Sequence, residues 1–165
     1  MMMARPISRW GNPLKLSSLI GLARQKRKAR VAIAASRRSG EVFPHTLLYG
    51  IGGTGKTAFA RAVGFELGYH FIETHAAAFK KREQLFEALV HYSAEAQLHG
   101  KPLLFFLDEV HGLKLTLQEA LYSVLKEWWI PSDRGKQYLA PFTLIAATTR
   151  IDMLDANSFV TRFPN

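Results

Sequence analysis

The chain has 165 residues and a mass of 18.6 kDa, with 48% hydrophobic and 21% charged residues, the profile of one domain large enough to bury a core. It has no cysteine and no apolar run near the roughly 20 residues a spanning helix needs, and residues 1–10 have no apolar h-region. Disulfide scaffolds, thiolate metal sites and membrane helices are thereby excluded, and a cytoplasmic location without membrane contact is expected.

The formal charge of +9 is confined to the first 40 residues. They carry ten Lys and Arg and no acid, whereas residues 41–165 carry twelve basic and thirteen acidic side chains. The run from Arg24 to Arg30 fits a solvated helix face, a surface against a neighbouring subunit, or a phosphate-backbone contact. Residues 1–16 read as a basic N-terminal segment and 17–165 as the folded core.

Ser17-Ser18 can cap a helix running to about Arg38 and stopped by Gly40, with Leu19, Leu22, Ala23, Val31, Ile33 and Ala34 on one buried side. A short apolar strand, Thr46 to Tyr49, leads into a glycine-rich loop and a helix from Lys56 to Leu67, ended by Gly68. His70 to Glu73 predicts a second strand, and residues 81–98 a helix. Leu103 to Leu107 is apolar at every position, as expected of a strand covered on both faces of a parallel sheet. A helix over 116–129 carries Leu117, Leu121, Leu125 and Trp128, and Phe142 to Ala147 forms the fourth strand. This alternation predicts an α/β fold of the P-loop NTPase type, with a mostly parallel sheet flanked by helices and ligands at the strand carboxyl ends.

Gly50-Ile51-Gly52-Gly53-Thr54-Gly55-Lys56-Thr57 matches G-x-x-x-x-G-K-[ST] in full, with a strand before it and a helix after it. Glycines let backbone N–H groups approach phosphate oxygens, and the helix that follows directs its positive end at the same anion. The expected ligand is ATP with Mg²⁺. Gly50, Gly52, Gly53, Thr54 and Gly55 would cradle the phosphates, and Lys56 would reach the β and γ groups. Thr57 and Asp108, the latter at the end of the third strand, would hold the metal. Glu109 would orient or deprotonate the attacking water. Thr149, closing the fourth strand, is placed to bond the γ-phosphate or that water. His111 reads as a structural residue rather than a ligand, and Arg162 as a surface arginine.

Together these motifs resemble the core of an AAA+ ATPase, and within that superfamily the RuvB family of Holliday-junction branch-migration motors. The resemblance rests on Leu19-Ile20-Gly21, residues 34–40, His45 to Gly50, Asp108 to His111, Glu119 to Tyr122, and Pro141 to Arg150, and it spans residues 13–163. It implies the AAA+ large subdomain, with Leu19 and Ile20 against the adenine and Thr149 as the sensor-1 residue. Arg162 would be an arginine finger serving the nucleotide of the next subunit in a homo-oligomeric ring. It further implies a helical lid with a sensor-2 arginine and a winged-helix DNA-binding domain beyond Asn165, the chain being truncated before the lid. DNA and a RuvA-like junction-binding protein are the implied partners.

The family pattern is not matched everywhere. Ile51-Gly52 stands where Pro-Pro is usual, which frees the loop backbone. The segment from Trp129 to Ala140 is shorter than the family's RuvA-docking hairpin, although Asp133-Arg134-Gly135 can turn a short one. One of two arginines before the finger is missing. A nucleotide switch of clamp-loader or initiator type, a small-molecule P-loop kinase, and a nucleotide binder with little turnover stand as alternatives.

Overall fold

The computed structural model describes residues 14–157 and 159–163, so most of the basic N-terminal segment (1–13) lies outside the described residues. Four parallel strands form the sheet, β1 (Thr46–Tyr49), β2 (His70–His75), β3 (Leu103–Asp108) and β6 (Thr143–Thr148), in the order β1-β6-β3-β2. β4 (Trp129–Ser132) and β5 (Gly135–Tyr138) pair antiparallel as a separate hairpin. The helices are α1 (Ala23–Ser39), α2 (Lys56–Leu67), α3 (Arg82–Leu98) and α4 (Leu115–Glu127).

Period-two alternation divides the core between the two faces of the sheet. Leu104 and Phe106 of β3, with Ile145 and Ala147 of β6, pack on Ala29 and Ile33 of α1 and on Phe59, Ala60 and Val63 of α2. Phe105 and Leu107, with Leu144 and Ala146, pack on Leu85 and Leu89 of α3 and on Leu117 and Leu121 of α4. Leu104 and Leu107 have no exposed surface, and burying each contributes roughly 1.5–3 kcal/mol. Leu16, within the basic segment, is itself fully buried in the first of these layers. Gly64 of α2 lets that helix close on β2, because a Cβ there would stand 2.8 Å from Phe71 Cδ2.

Three local expectations are corrected. Ser17 and Ser18 lie in a separate 3₁₀ turn, Leu16–Ser18, and α1 starts only at Ala23, after Gly21 (φ 72°) and Leu22 (φ 55°) reverse the chain. The inward stripe of α1 is Leu22, Lys26, Ala29, Ile33 and Ser36, at alternating spacings of four and three, while Ala23, Val31 and Ala34 are exposed. Trp128 is not a helical core position. It caps α4 in the left-handed region (φ 57°) and turns its ring onto Phe142 (5.3 Å) and His45 (5.7 Å). The short hairpin does form, with Asp133 and Arg134 as its two-residue turn between Ser132 and Gly135.

Candidate functional site

Because all four strands of the sheet run the same way, Tyr49, His75, Asp108 and Thr148 end on one edge. The register pairs Tyr49 with Thr148 and His75 with Asp108. β6 lies between β1 and β3, so residues after Thr148 sit between the glycine loop and the Asp108-Glu109 turn.

The loop from Gly50 to Thr57 bridges β1 and α2. Gly53 (φ 76°) and Gly55 (φ 85°) take left-handed backbone that a side chain would strain. The Lys56 ammonium donates to the carbonyls of Gly50 and Ile51, both at 2.9 Å, and the Thr54 hydroxyl donates to Ile51 O at 2.9 Å. The lysine is thus folded over its own loop, on carbonyls it can exchange for an anion. Gly52, Gly53 and Thr54 are exposed, while Lys56 and Thr57, half-buried, open α2 with no side-chain cap on its free N–H groups.

Glu109 follows β3 in left-handed backbone (φ 48°), an uncommon conformation for a non-glycine residue and one that clusters at functional positions. Its N–H donates to Asp108 Oδ1 at 2.9 Å. Its own carboxylate reaches across to the residue that follows β6, where Oε2 accepts from the Thr149 N–H (3.2 Å) and hydroxyl (3.1 Å). The same oxygen is 3.1 Å from His111 Nδ1, which also lies 2.8 Å from the Thr148 hydroxyl. Thr148 in turn accepts from the Arg150 N–H at 2.9 Å. Arg150 itself pairs with Asp152, holding that exposed carboxyl below its usual range chiefly through their hydrogen bond.

Thr149, Glu109 and Asp108 therefore meet beside the loop. Arg162 does not join them. Its guanidinium donates to the Tyr122 hydroxyl of α4 at 2.8 Å and lies over the Tyr122 ring at 4.5 Å, and its buried Nε has no hydrogen-bond partner among the described residues. Its charge also acts on His45, which stands at the amino-terminal end of β1, away from the loop. Burial first, and then the Arg162 charge, lower the His45 pKa to about 4. Leu19 is half-buried and Ile20 wholly exposed, and it is Leu22 whose side chain approaches the loop, 3.9 Å from where a Cβ on Gly55 would stand.

Sequence reasoning did not find the contacts of His111, Thr148, Leu22 and Tyr122. Of these, only His111 was marked locally, by its place two residues after Glu109.

The family model for the Holliday junction DNA helicase RuvB P-loop domain matches residues 12–164. A curated relative from Streptococcus equi subsp. zooepidemicus, a Holliday junction branch migration complex subunit RuvB, is 34% identical over 165 residues, covering 95% of this chain and 47% of its own length. The Lacticaseibacillus casei subunit is 36% identical over 152 residues, covering 87% of this chain and 43% of its own. The solved Thermotoga maritima RuvB Holliday junction branch migration motor superposes with a TM-score of 0.76 at 30% identity, covering 92% of this chain and 46% of that one. This chain thus spans a little under half the length of the relatives it matches.

Proposed function

Since the chain belongs to the RuvB Holliday junction DNA helicase P-loop domain family, we propose that it is the ATP-binding and ATP-hydrolysing core of a branch-migration motor acting in recombination and repair. The carrying observation is the meeting of the glycine loop with Asp108, Glu109 and Thr149 at the carboxyl edge of β1, β3 and β6. The donors present fit the ligand: backbone N–H groups and an ammonium for phosphate, and a hydroxyl with a carboxylate for Mg²⁺. Bound Mg²⁺ would neutralise charge developing on the transferred phosphoryl group.

In this reading Lys56 leaves the carbonyls of Gly50 and Ile51 for the β- and γ-phosphates, while the loop N–H groups and the start of α2 hold the remaining oxygens. Thr57 and Asp108 would hold the metal. Glu109 orients the attacking water and accepts its proton, once it turns from Thr149 and His111, and Thr149 senses the γ-phosphate. Leu19 and Ile20, with Leu22 beside them, offer apolar surface for the base. Arg162, bound to Tyr122 in its own chain, serves a neighbour's nucleotide in a ring. DNA and a RuvA-like protein are the partners, with the exposed β4–β5 hairpin as the surface for the latter, and the site of action is cytoplasmic. Residues 17–165 are the nucleotide-binding core.

The test is ATP turnover of this chain beside Glu109→Gln and nucleotide binding beside Lys56→Ala. Equal turnover in wild type and Glu109→Gln sinks the catalytic assignment, and undiminished binding in Lys56→Ala sinks the site. Binding without any turnover leaves the nucleotide-binder alternative. The relatives named above are branch-migration subunits, which does not favour a clamp-loader or initiator switch.

A further inference from the structure

At the other end of the sheet, away from the nucleotide loop, His70 opens the edge strand β2. Its side chain is 1% exposed, and among the described residues its Nε2 has no hydrogen-bond partner. Leaving a buried ring nitrogen unpaired is unfavourable, because it has lost its water without gaining a partner. The nearest charged atom is Glu95 Oε1 at 3.4 Å, which is close enough for an ion pair but not aligned for a hydrogen bond. Glu95 sits on the last turn of α3, and His99, the C-cap of that helix, follows it by four residues, so both face β2. The His99 ring stacks on His70 with centroids 5.0 Å apart and an interplanar angle of 21°.

We propose that His70, Glu95 and His99 form a binding site for one divalent transition-metal ion of the zinc class. Each offers one donor atom, and the donors lie within 4.8 Å of one another. A tetrahedral zinc ion at about 2.0–2.1 Å from each donor holds its ligands about 3.3–3.5 Å apart. The His70–Glu95 pair already has that spacing. His99 is exposed and caps the helix, so its ring can turn from its stack on His70 to close the rest. Two imidazoles and a carboxylate select zinc-class ions over Mg²⁺, which takes oxygen donors. Three protein donors leave a fourth position for water, as in open zinc sites. The ion would satisfy the orphaned Nε2 of His70 and join the edge strand to the end of α3. The site is independent of nucleotide chemistry.

The experiment is calorimetric titration of the untagged 165-residue chain with ZnCl₂, and separately with MgCl₂, alongside melting curves with and without each ion. Zinc is expected to bind at one ion per chain and raise Tm, with no such rise from Mg²⁺. Glu95→Gln and His99→Ala alter surface-accessible positions, so the chain still folds, and each should weaken zinc binding by about tenfold or more and remove the Tm gain. Absence of saturable zinc binding overturns the proposal. So does wild-type zinc affinity in either variant.

Discussion

The Thr149 hydroxyl donates to Glu109 Oε2 at 3.1 Å, and the backbone N–H of the same threonine donates to the same oxygen at 3.2 Å. A carboxylate gripped twice by the neighbouring strand is oriented before any nucleotide arrives, and it must let go to act on water. Removing Oε2 as a base by Glu109→Gln should cost about 10²–10⁴ in kcat, the usual weight of a general base, with nucleotide affinity retained. Thr149→Val keeps the N–H contact and loses the hydroxyl, so a smaller drop in kcat with little change in nucleotide affinity is expected. Steady-state kinetics with a fluorescent nucleotide titration separates the two effects.

His111 adds a third contact to that oxygen and bonds the Thr148 hydroxyl as well. It acts through Glu109 and is a positioning residue. His111→Ala removes the Nδ1 that bonds the Thr148 hydroxyl beside Glu109, so kcat should fall by about fivefold, the weight of one ordinary hydrogen bond, with the nucleotide dissociation constant unchanged. His111→Gln, which restores a donor, should recover part of the loss. A parallel fall in affinity and kcat, with no recovery in Gln, would place the residue in the fold instead.

Stability should fall on mild acidification because of His45. Its Nδ1 accepts from the Leu144 N–H at 3.1 Å, which requires the unprotonated ring, and burial and Arg162 hold its pKa at about 4. The unfolded chain, with an ordinary pKa near 6.5, binds that proton first. The contribution is therefore complete above about pH 6.5 and is lost progressively as pH falls toward 4, up to on the order of 3 kcal/mol. Urea unfolding at pH 7 and pH 5 should show the loss, and His45→Gln, which keeps an acceptor and cannot titrate, should flatten it. An unchanged pH slope in that variant discards the assignment.

Arg162 offers a linked measurement. Replacing it with Ala removes the charge that opposes His45 protonation, so the His45 pKa should rise and the acid-side loss narrow. Nucleotide binding should be untouched, because Arg162 lies on Tyr122 and not at the loop of its own chain. If the arginine serves a neighbour, turnover should fall by on the order of 10³-fold or more in the assembled state, with no effect on a dilute monomer. Weakened binding in the monomer contradicts this placement.

Gly64→Ala tests the packing of α2 on β2. The added Cβ would lie 2.8 Å from Phe71 Cδ2, so the ring must shift within a filled layer. A loss of about 1–3 kcal/mol is expected from overpacking, against any gain in helix propensity. Thermal unfolding reads it directly, and a stabilised variant means the layer has slack.

The residues themselves determined the elements and the ligand class. A full phosphate-loop pattern, an apolar strand ending in Asp108-Glu109, and helix–strand alternation are local signals, readable because their periodicity and spacing lie within a few residues. Local signals failed where backbone reversals took over: Gly21-Leu22 delay α1, and Trp128 ends α4 by entering left-handed space. The tertiary structure alone decided that Glu109 is held by Thr149, 40 residues on, that His111 meets Thr148, and that Arg162 rests on Tyr122. It also decided that His70, Glu95 and His99 converge. The first two contacts depend on strand order, β1-β6-β3-β2, which differs from chain order and which no spacing along one strand encodes, and the others on how α4 and α3 pack.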